Sequence, residues 1–160
     1  MSEIIADKVN IEEELRLNGY YASVTKGISM EPLFRTHRDM VIIKAADGEL
    51  KKYDVALYKT KGGRYILHRV IGVEDGVYLI RGDNTYVLER VPKESVIGVL
   101  IEFNRKGKKH SCKERGYRIY SVIWTFIYPL RVFFRFFKRV VKWPFRKIRR
   151  ALRRKRNEKV

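Results

Sequence analysis

Three polar residues stand where chemistry would need them. Ser29 lies in Gly27-Ile28-Ser29-Met30-Glu31-Pro32, a turn whose glycine and proline limit the backbone shapes open to the serine. A serine hydroxyl is a weak nucleophile until a base takes its proton. His68 is the candidate base. It sits within the apolar run Tyr65-Ile66-Leu67-His68-Arg69-Val70-Ile71, where a strand would put it on one face with Ile66 and Val70. A neutral imidazole suits proton abstraction near pH 7. Asp83, in the turn Arg81-Gly82-Asp83-Asn84, could orient that imidazole. Singly, each has an ordinary reading: a common turn, a satisfied core histidine, a hairpin turn. In this order and context, they read as nucleophile, base and orienting acid.

The elements that must position them are mostly strands. Asn10 is placed to cap a short helix over residues 11–17, with Ile11, Leu15 and Leu17 on its apolar side and Glu12, Glu13 and Glu14 in the first turn, where the helix dipole favours acids. Asn18-Gly19 stops it. Residues 20–25, 40–44, 55–59, 65–73, 77–80 and 95–103 are short runs rich in Val, Ile, Leu and Tyr. Asp47-Gly48, Gly62-Gly63, Asp75-Gly76 and Gly82-Asp83-Asn84 supply the turns between them. The pattern predicts a mostly β domain over 20–104, preceded by a helical segment over 1–19.

With these elements placed, the sequence resembles the signal-peptidase and LexA-like serine peptidases. Their nucleophile lies in a Ser-Met-x-Pro box, matched by Ser29-Met30-Glu31-Pro32. A box resembling Gly-Asp-x-Val is matched by Lys52-Tyr53-Asp54-Val55-Ala56, with Tyr53 in place of glycine. The endoplasmic-reticulum and archaeal type carries its base in a His-Arg-Val stretch, matched by His68-Arg69-Val70, and a Gly-Asp-Asn box follows as Gly82-Asp83-Asn84. A late strand through Gly98-Val99-Leu100 also fits, so the resemblance covers roughly residues 20–103. It implies the mostly β signal-peptidase/LexA-like fold and a serine endopeptidase using a Ser29–His68 dyad. It also implies an extended substrate beside the nucleophile, walled by Thr25, Gly27, Ile28 and Met30, with small side chains near the scissile bond. For the third member Asp83 is the first choice. Glu89, the one acid in the stretch Thr85-Tyr86-Val87-Leu88-Glu89-Arg90, is the reserve. The sequence departs from the family in lacking the usual N-terminal membrane anchor and any large insertion between Met30 and Tyr65.

Charge divides the chain. Residues 1–104 hold 15 basic and 16 acidic side chains, whereas 105–160 hold 21 and 2. The second part reads as a basic linker over 105–116 and a helical tail over 117–160. Leu130, Phe133, Phe134, Phe137, Val141, Ile148 and Leu152 recur at helical spacing. Arg131, Arg135, Lys138, Arg139 and Lys142 fill the other face, and Trp124 and Trp143 add interfacial aromatics. Such a long basic amphipathic helix is expected to lie on an anionic membrane surface, kinked at Pro129 and Pro144. The longest uncharged run, 119–130, has 12 residues, short of the ~18–20 that cross a bilayer. With an acidic N-terminus unlike a signal peptide, the expected location is the cytoplasmic face of a membrane.

Other classes are excluded or ranked lower. One cysteine, Cys112, rules out an intramolecular disulfide framework and a cysteine-based zinc site. His37, His68 and His110 lack metal-ligand spacing, and no phosphate-binding loop is visible. No metal or cofactor is expected. The expected partners are a peptide or protein precursor, such as a leader peptide or membrane-bound precursor, and an anionic membrane. Two alternatives stand beside this reading. One is a catalytically inactive peptidase-like binding module tethered to membrane. The other is nucleic-acid binding through the tail, weakened because the roughly 19 residues before the β region leave no room for a helix-turn-helix.

Overall fold

The computed structural model describes residues 3–4 and 10–137. Ile11 and Leu15 lie one helical turn apart and are both buried, which sets the inner face of α1 (Ile11–Asn18). Asn10 takes the extended N-cap backbone shape, though its side chain makes no capping bond. Gly19 ends the helix at φ 75°, donating its N–H to the Leu15 carbonyl.

Nine strands follow or precede this helix among the described residues: β1 (Glu3–Ile4), β2 (Tyr20–Lys26), β3 (Met40–Ala45), β4 (Val55–Lys59), β5 (Tyr65–Glu74), β6 (Val77–Arg81), β7 (Glu89–Pro92), β8 (Val96–Arg105) and β9 (Lys108–Ser111). They make one antiparallel sheet in the order β1-β2-β3-β8-β4-β5-β6-β7, with β9 on β8. The sheet curls, because β1 pairs with β5 as well as with β2. The fold is therefore mostly β, flanked by the short α1 and the longer α2 (Arg115–Phe126).

Strand alternation produces two cores. Val55 and Leu57 of β4 and Leu67 of β5 join Ile11, Leu15, Met30, Phe34 and Phe103 on one side. Ala56 and Tyr58 of β4 and Ile66 and Val70 of β5 join Tyr78, Ile80 and Val91 on the other. At Gly98 of β8 a Cβ would stand 2.5 Å from the Ile43 side chain and 2.9 Å from the Lys44 carbonyl. Glycine there lets β3 approach, and Leu15 of α1 lies just beyond.

Residues 105–116 are not a linker. Lys106 and Gly107, at φ 53° and 78°, turn the chain back so that β9 pairs with β8. His110 stacks on Phe103 at 5.2 Å, and Lys109 pairs with Glu102. The lysines that suggested a linker are the solvated residues of an edge strand. The domain division also moves: the chain separates into Met1–Thr125 and Phe126–Val160, so nearly all of α2 belongs with the sheet. Helix resumes over 128–137 after a break at Ile127, beside Pro129. No helix among the described residues is long and apolar enough to cross a membrane. Lys138, Arg139, Val141, Lys142, Trp143, Pro144, Ile148 and Leu152 lie outside the described residues.

Candidate active site

β2 ends at Lys26, and Gly27 takes φ 93°, a shape that favours glycine. Its N–H is held by Thr36 Oγ1 at 2.8 Å. Met30 then anchors the turn, fully buried in the first core beside Leu33 and Phe34. Ser29 is thereby fixed between an exposed Ile28 and a buried Met30.

Across the sheet, β5 presents His68. Ser29 Oγ and His68 Nε2 are 2.8 Å apart, and the two residues are 2% and 1% exposed. On the far side of the ring, Nδ1 lies 3.1 Å from Glu89 Oε1. Tyr58 donates its hydroxyl to Glu89 Oε2 at 2.8 Å and stands 3.4 Å from Nδ1. A carboxylate only accepts, so it favours the proton on Nδ1 and leaves Nε2 free to accept from Ser29. The hydrogen bond with His68, helped by that from Tyr58, holds the Glu89 carboxyl below its ordinary pKa against the opposing effect of burial. Burial and the neighbouring Glu89 push the Tyr58 phenol far up, so it stays protonated and donating. A buried serine, a buried histidine and a half-buried glutamate are thus in hydrogen-bonded series, the arrangement that activates a serine hydroxyl.

The acid on His68 is therefore Glu89 and not Asp83. Successive residues of a strand face opposite sides, so Arg69 points away from His68 and takes Asp83 for itself. Arg69 Nε and Nη2 each reach an Asp83 carboxylate oxygen at 2.8 Å, with Arg69 fully buried. Burial alone would lower the guanidinium pKa; the Asp83 charge more than reverses this. Arg69 Nη1 also donates to Ser121 Oγ at 2.8 Å and to the Tyr53 carbonyl at 3.0 Å. Tyr120 donates its hydroxyl to Asp83 Oδ2 at 3.0 Å, and Trp124 Nε1 donates to the Asp83 carbonyl at 2.9 Å.

The Gly82-Asp83-Asn84 turn has a second task. Asn84 N–H donates to the Ser29 carbonyl at 2.7 Å, and its side-chain amide to the Ile28 carbonyl at 3.2 Å. A Cβ on Gly82 would lie 2.7 Å from the Ser29 carbonyl oxygen and 3.0 Å from His68 Nε2. Only glycine lets this turn press against both members of the pair.

The other predicted residues separate. Ile28 is exposed beside Ser29, whereas Met30 is a core residue and no groove wall. Thr25 is 1% exposed; its Oγ1 finds no partner among the described residues. Trp124 is half-buried on the β domain, stacked on Tyr120 at 5.8 Å. Its N–H is committed to Asp83, so it is not a free interfacial side chain. Phe133, Phe134, Phe137 and Arg135 are exposed and Arg131 half-buried on the 128–137 helix. Trp143 and Lys142 lie outside the described residues. No group of three or more His, Cys, Asp or Glu suited to a metal occurs among the described residues. Residues missed from sequence are Tyr58, Tyr120 and Ser121, whose roles come from β4 and α2 being brought to β5. Comparison with protein-family models and with curated protein sequences finds no match to the chain.

Proposed function

We propose that this protein is a serine endopeptidase of the signal-peptidase type, cleaving a leader or membrane-proximal precursor. The observation that carries the reading is the 2.8 Å Ser29–His68 contact backed by Glu89 on Nδ1. Ser29 Oγ attacks the peptide carbonyl while His68 Nε2 takes its proton. His68 then protonates the leaving amine, and Glu89 stabilises the imidazolium formed between the two steps. Backbone N–H groups of the Ser29 turn would supply the oxyanion donors. Two further observations support the type. Tyr53 holds φ 82° at the position where the resembled box has glycine. Gly82 and Asn84 of the Gly-Asp-Asn box make the contacts that fix the Ser29 turn.

We place the enzyme on an anionic membrane, at its cytoplasmic face. On α2, Tyr117, Tyr120, Ser121 and Trp124 face the domain, while Ile119, Val122, Ile123 and Phe126 form an exposed apolar stripe at the same spacing. Leu130, Phe133, Phe134, Phe136 and Phe137 are also exposed, in a region carrying 21 basic and 2 acidic residues from 105 to 160. Exposed aromatics amid dense positive charge match an anionic lipid surface. One observation favours a second reading, an inactive peptide-binding module: Ser29 is only 2% exposed.

The test is a degenerate library of extended peptides, with and without vesicles containing anionic lipid, analysed by mass spectrometry. Cleavage by the wild type and none by Ser29→Ala is expected. Retention of peptides without cleavage would favour the binding module and overturn the peptidase.

A further inference from the structure

A covered nucleophile needs a way in, and one short element lies along the approach. β1 is antiparallel to β2, with Glu3 opposite Lys26 and Ile4 opposite Thr25. It is also antiparallel to β5, with Glu3 opposite Ile66. β2 and β5 therefore run in the same direction on either side of a slot one strand wide. Ser29 is three residues beyond Lys26 on one wall, and His68 two beyond Ile66 on the other. β6 takes this edge of β5 from Arg69 onward, so the slot ends beside the dyad.

The walls offer main-chain hydrogen bonds. Thr25 donates its N–H to the Asp39 carbonyl and accepts from the His37 N–H at 2.9 Å, both away from β1. By strand alternation, Lys26 turns its N–H and C=O toward Glu3. A peptide entering here bonds through its backbone whatever its side chains.

The slot between β2 and β5 lies where the family resemblance puts an extended substrate, and we propose that the chain's own Glu3–Ile4 strand is a displaceable occupant of it. An extended peptide takes the place of β1 to reach Ser29. The consequence for catalysis rests on the peptidase reading above; the occupancy does not. Among the described residues, β1 is held at two positions on β2 and one on β5, against five between β2 and β3. The least-held strand of a sheet is the one that opens first.

Glu3→Pro removes the N–H turned toward Lys26, and Ile4→Pro, by the same alternation, the N–H turned toward β5. In the full chain carrying both changes, hydrogen exchange is expected to quicken by about tenfold or more at Lys26 and at Leu67, whose N–H faces the slot by alternation from Val70, itself bonded to Asp54 of the β4 side. A synthetic peptide of the chain's own residues 1–8 is expected to restore protection. Labelling of Ser29 by a fluorophosphonate is expected to be several-fold faster in the variant and slowed again by that peptide. Should the double variant not fold, Ile4→Gly makes the same comparison with the N–H retained. Unchanged exchange at both positions overturns the displaceable strand. Faster exchange with labelling unchanged overturns the groove and leaves the peptidase reading standing. Absence of labelling in every protein counts against the peptidase reading. Restored protection by the peptide then upholds the groove as a binding site, and failure to restore it overturns the proposal.

Discussion

His68 and Arg69 are chain neighbours, and β5 turns them to opposite sides of the sheet. On the His68 side lie Ser29, Glu89 and Tyr58, linked through an imidazole that can lose and regain a proton. On the Arg69 side lie Asp83, Tyr120 and Ser121, gathered on a guanidinium that stays charged at every working pH. Both sides pair a base with a carboxylate. Their difference lies in the base: one can pass a proton to or from a reacting atom, whereas the other can only hold structure. The Arg69 side does this by bolting α2 to the turn that contacts Ser29.

The largest expected effects come from removing the two acids one at a time. Glu89→Gln should slow Ser29-dependent turnover by ~10²–10⁴, with a smaller loss of stability than Asp83→Asn. Asp83→Asn should do the reverse, costing about 3–5 kcal/mol of stability by leaving a buried guanidinium uncompensated. Urea denaturation beside a labelling or cleavage rate reads both. A crossed result, with Asp83→Asn disabling the site in a stable protein, would break the contrast between the two faces.

Gly82→Ala sharpens the contrast, because Gly82 touches both members of the dyad from the Asp83 turn. Its Cβ would need room 2.7 Å from the Ser29 carbonyl and 3.0 Å from His68 Nε2. Displacing these groups by roughly 1 Å should cost about 10² in rate and about 1–3 kcal/mol in stability. A fully active, stable Gly82→Ala protein would mean that the turn does not set the dyad's position.

A smaller effect separates the faces by pH. Glu89 titrates below its ordinary value of 4.5, chiefly through the hydrogen bond with His68. Its contribution to stability is therefore complete above that ordinary value and is lost as pH falls through the folded value. Denaturation midpoints measured from pH 6 down to about pH 3 should fall less steeply in Glu89→Gln than in the wild type. Equal slopes would show that the Glu89–His68 bond contributes nothing to folding.

The smallest effect is at Tyr53, whose φ of 82° serves the carbonyl that Arg69 uses. Tyr53→Gly relieves about 1–2 kcal/mol of backbone strain and returns about 0.5–1 kcal/mol in unfolded-chain entropy. Thermal melts should place the variant level with the wild type or up to about 1.5 kcal/mol more stable.

How far the sequence spoke depends on what each element buries. β2 to β6 and β8 were legible because β-branched and aromatic residues recur between glycine turns. β1, β7 and β9 were not: Glu3-Ile4, Glu89-Arg90-Val91-Pro92 and Lys108-Lys109-His110-Ser111 hold too few apolar residues to separate from loop. At the site, Ser29 and His68 were legible from residue type and order. The supporting acid is not legible in the same way, because Asp83 lies in the Gly-Asp-Asn box that the resemblance points to and Glu89 lies outside it. The signal that separates them is alternation: an arginine directly after the histidine faces the other side and takes one of the two carboxylates. Met30 looked like a groove wall because it adjoins Ser29, but its side chain is what anchors the turn in the core. Trp124 looked lipid-facing by composition, and only the docking of α2 on Asp83 shows otherwise.

The most direct test of the account is the rate at which a fluorophosphonate labels the intact protein, with the modified residue mapped by mass spectrometry. Labelling is expected at Ser29, slower by ~10²–10⁴ in His68→Ala and absent in Ser29→Ala. No labelling of the wild type, or equal rates with and without His68, would contradict it.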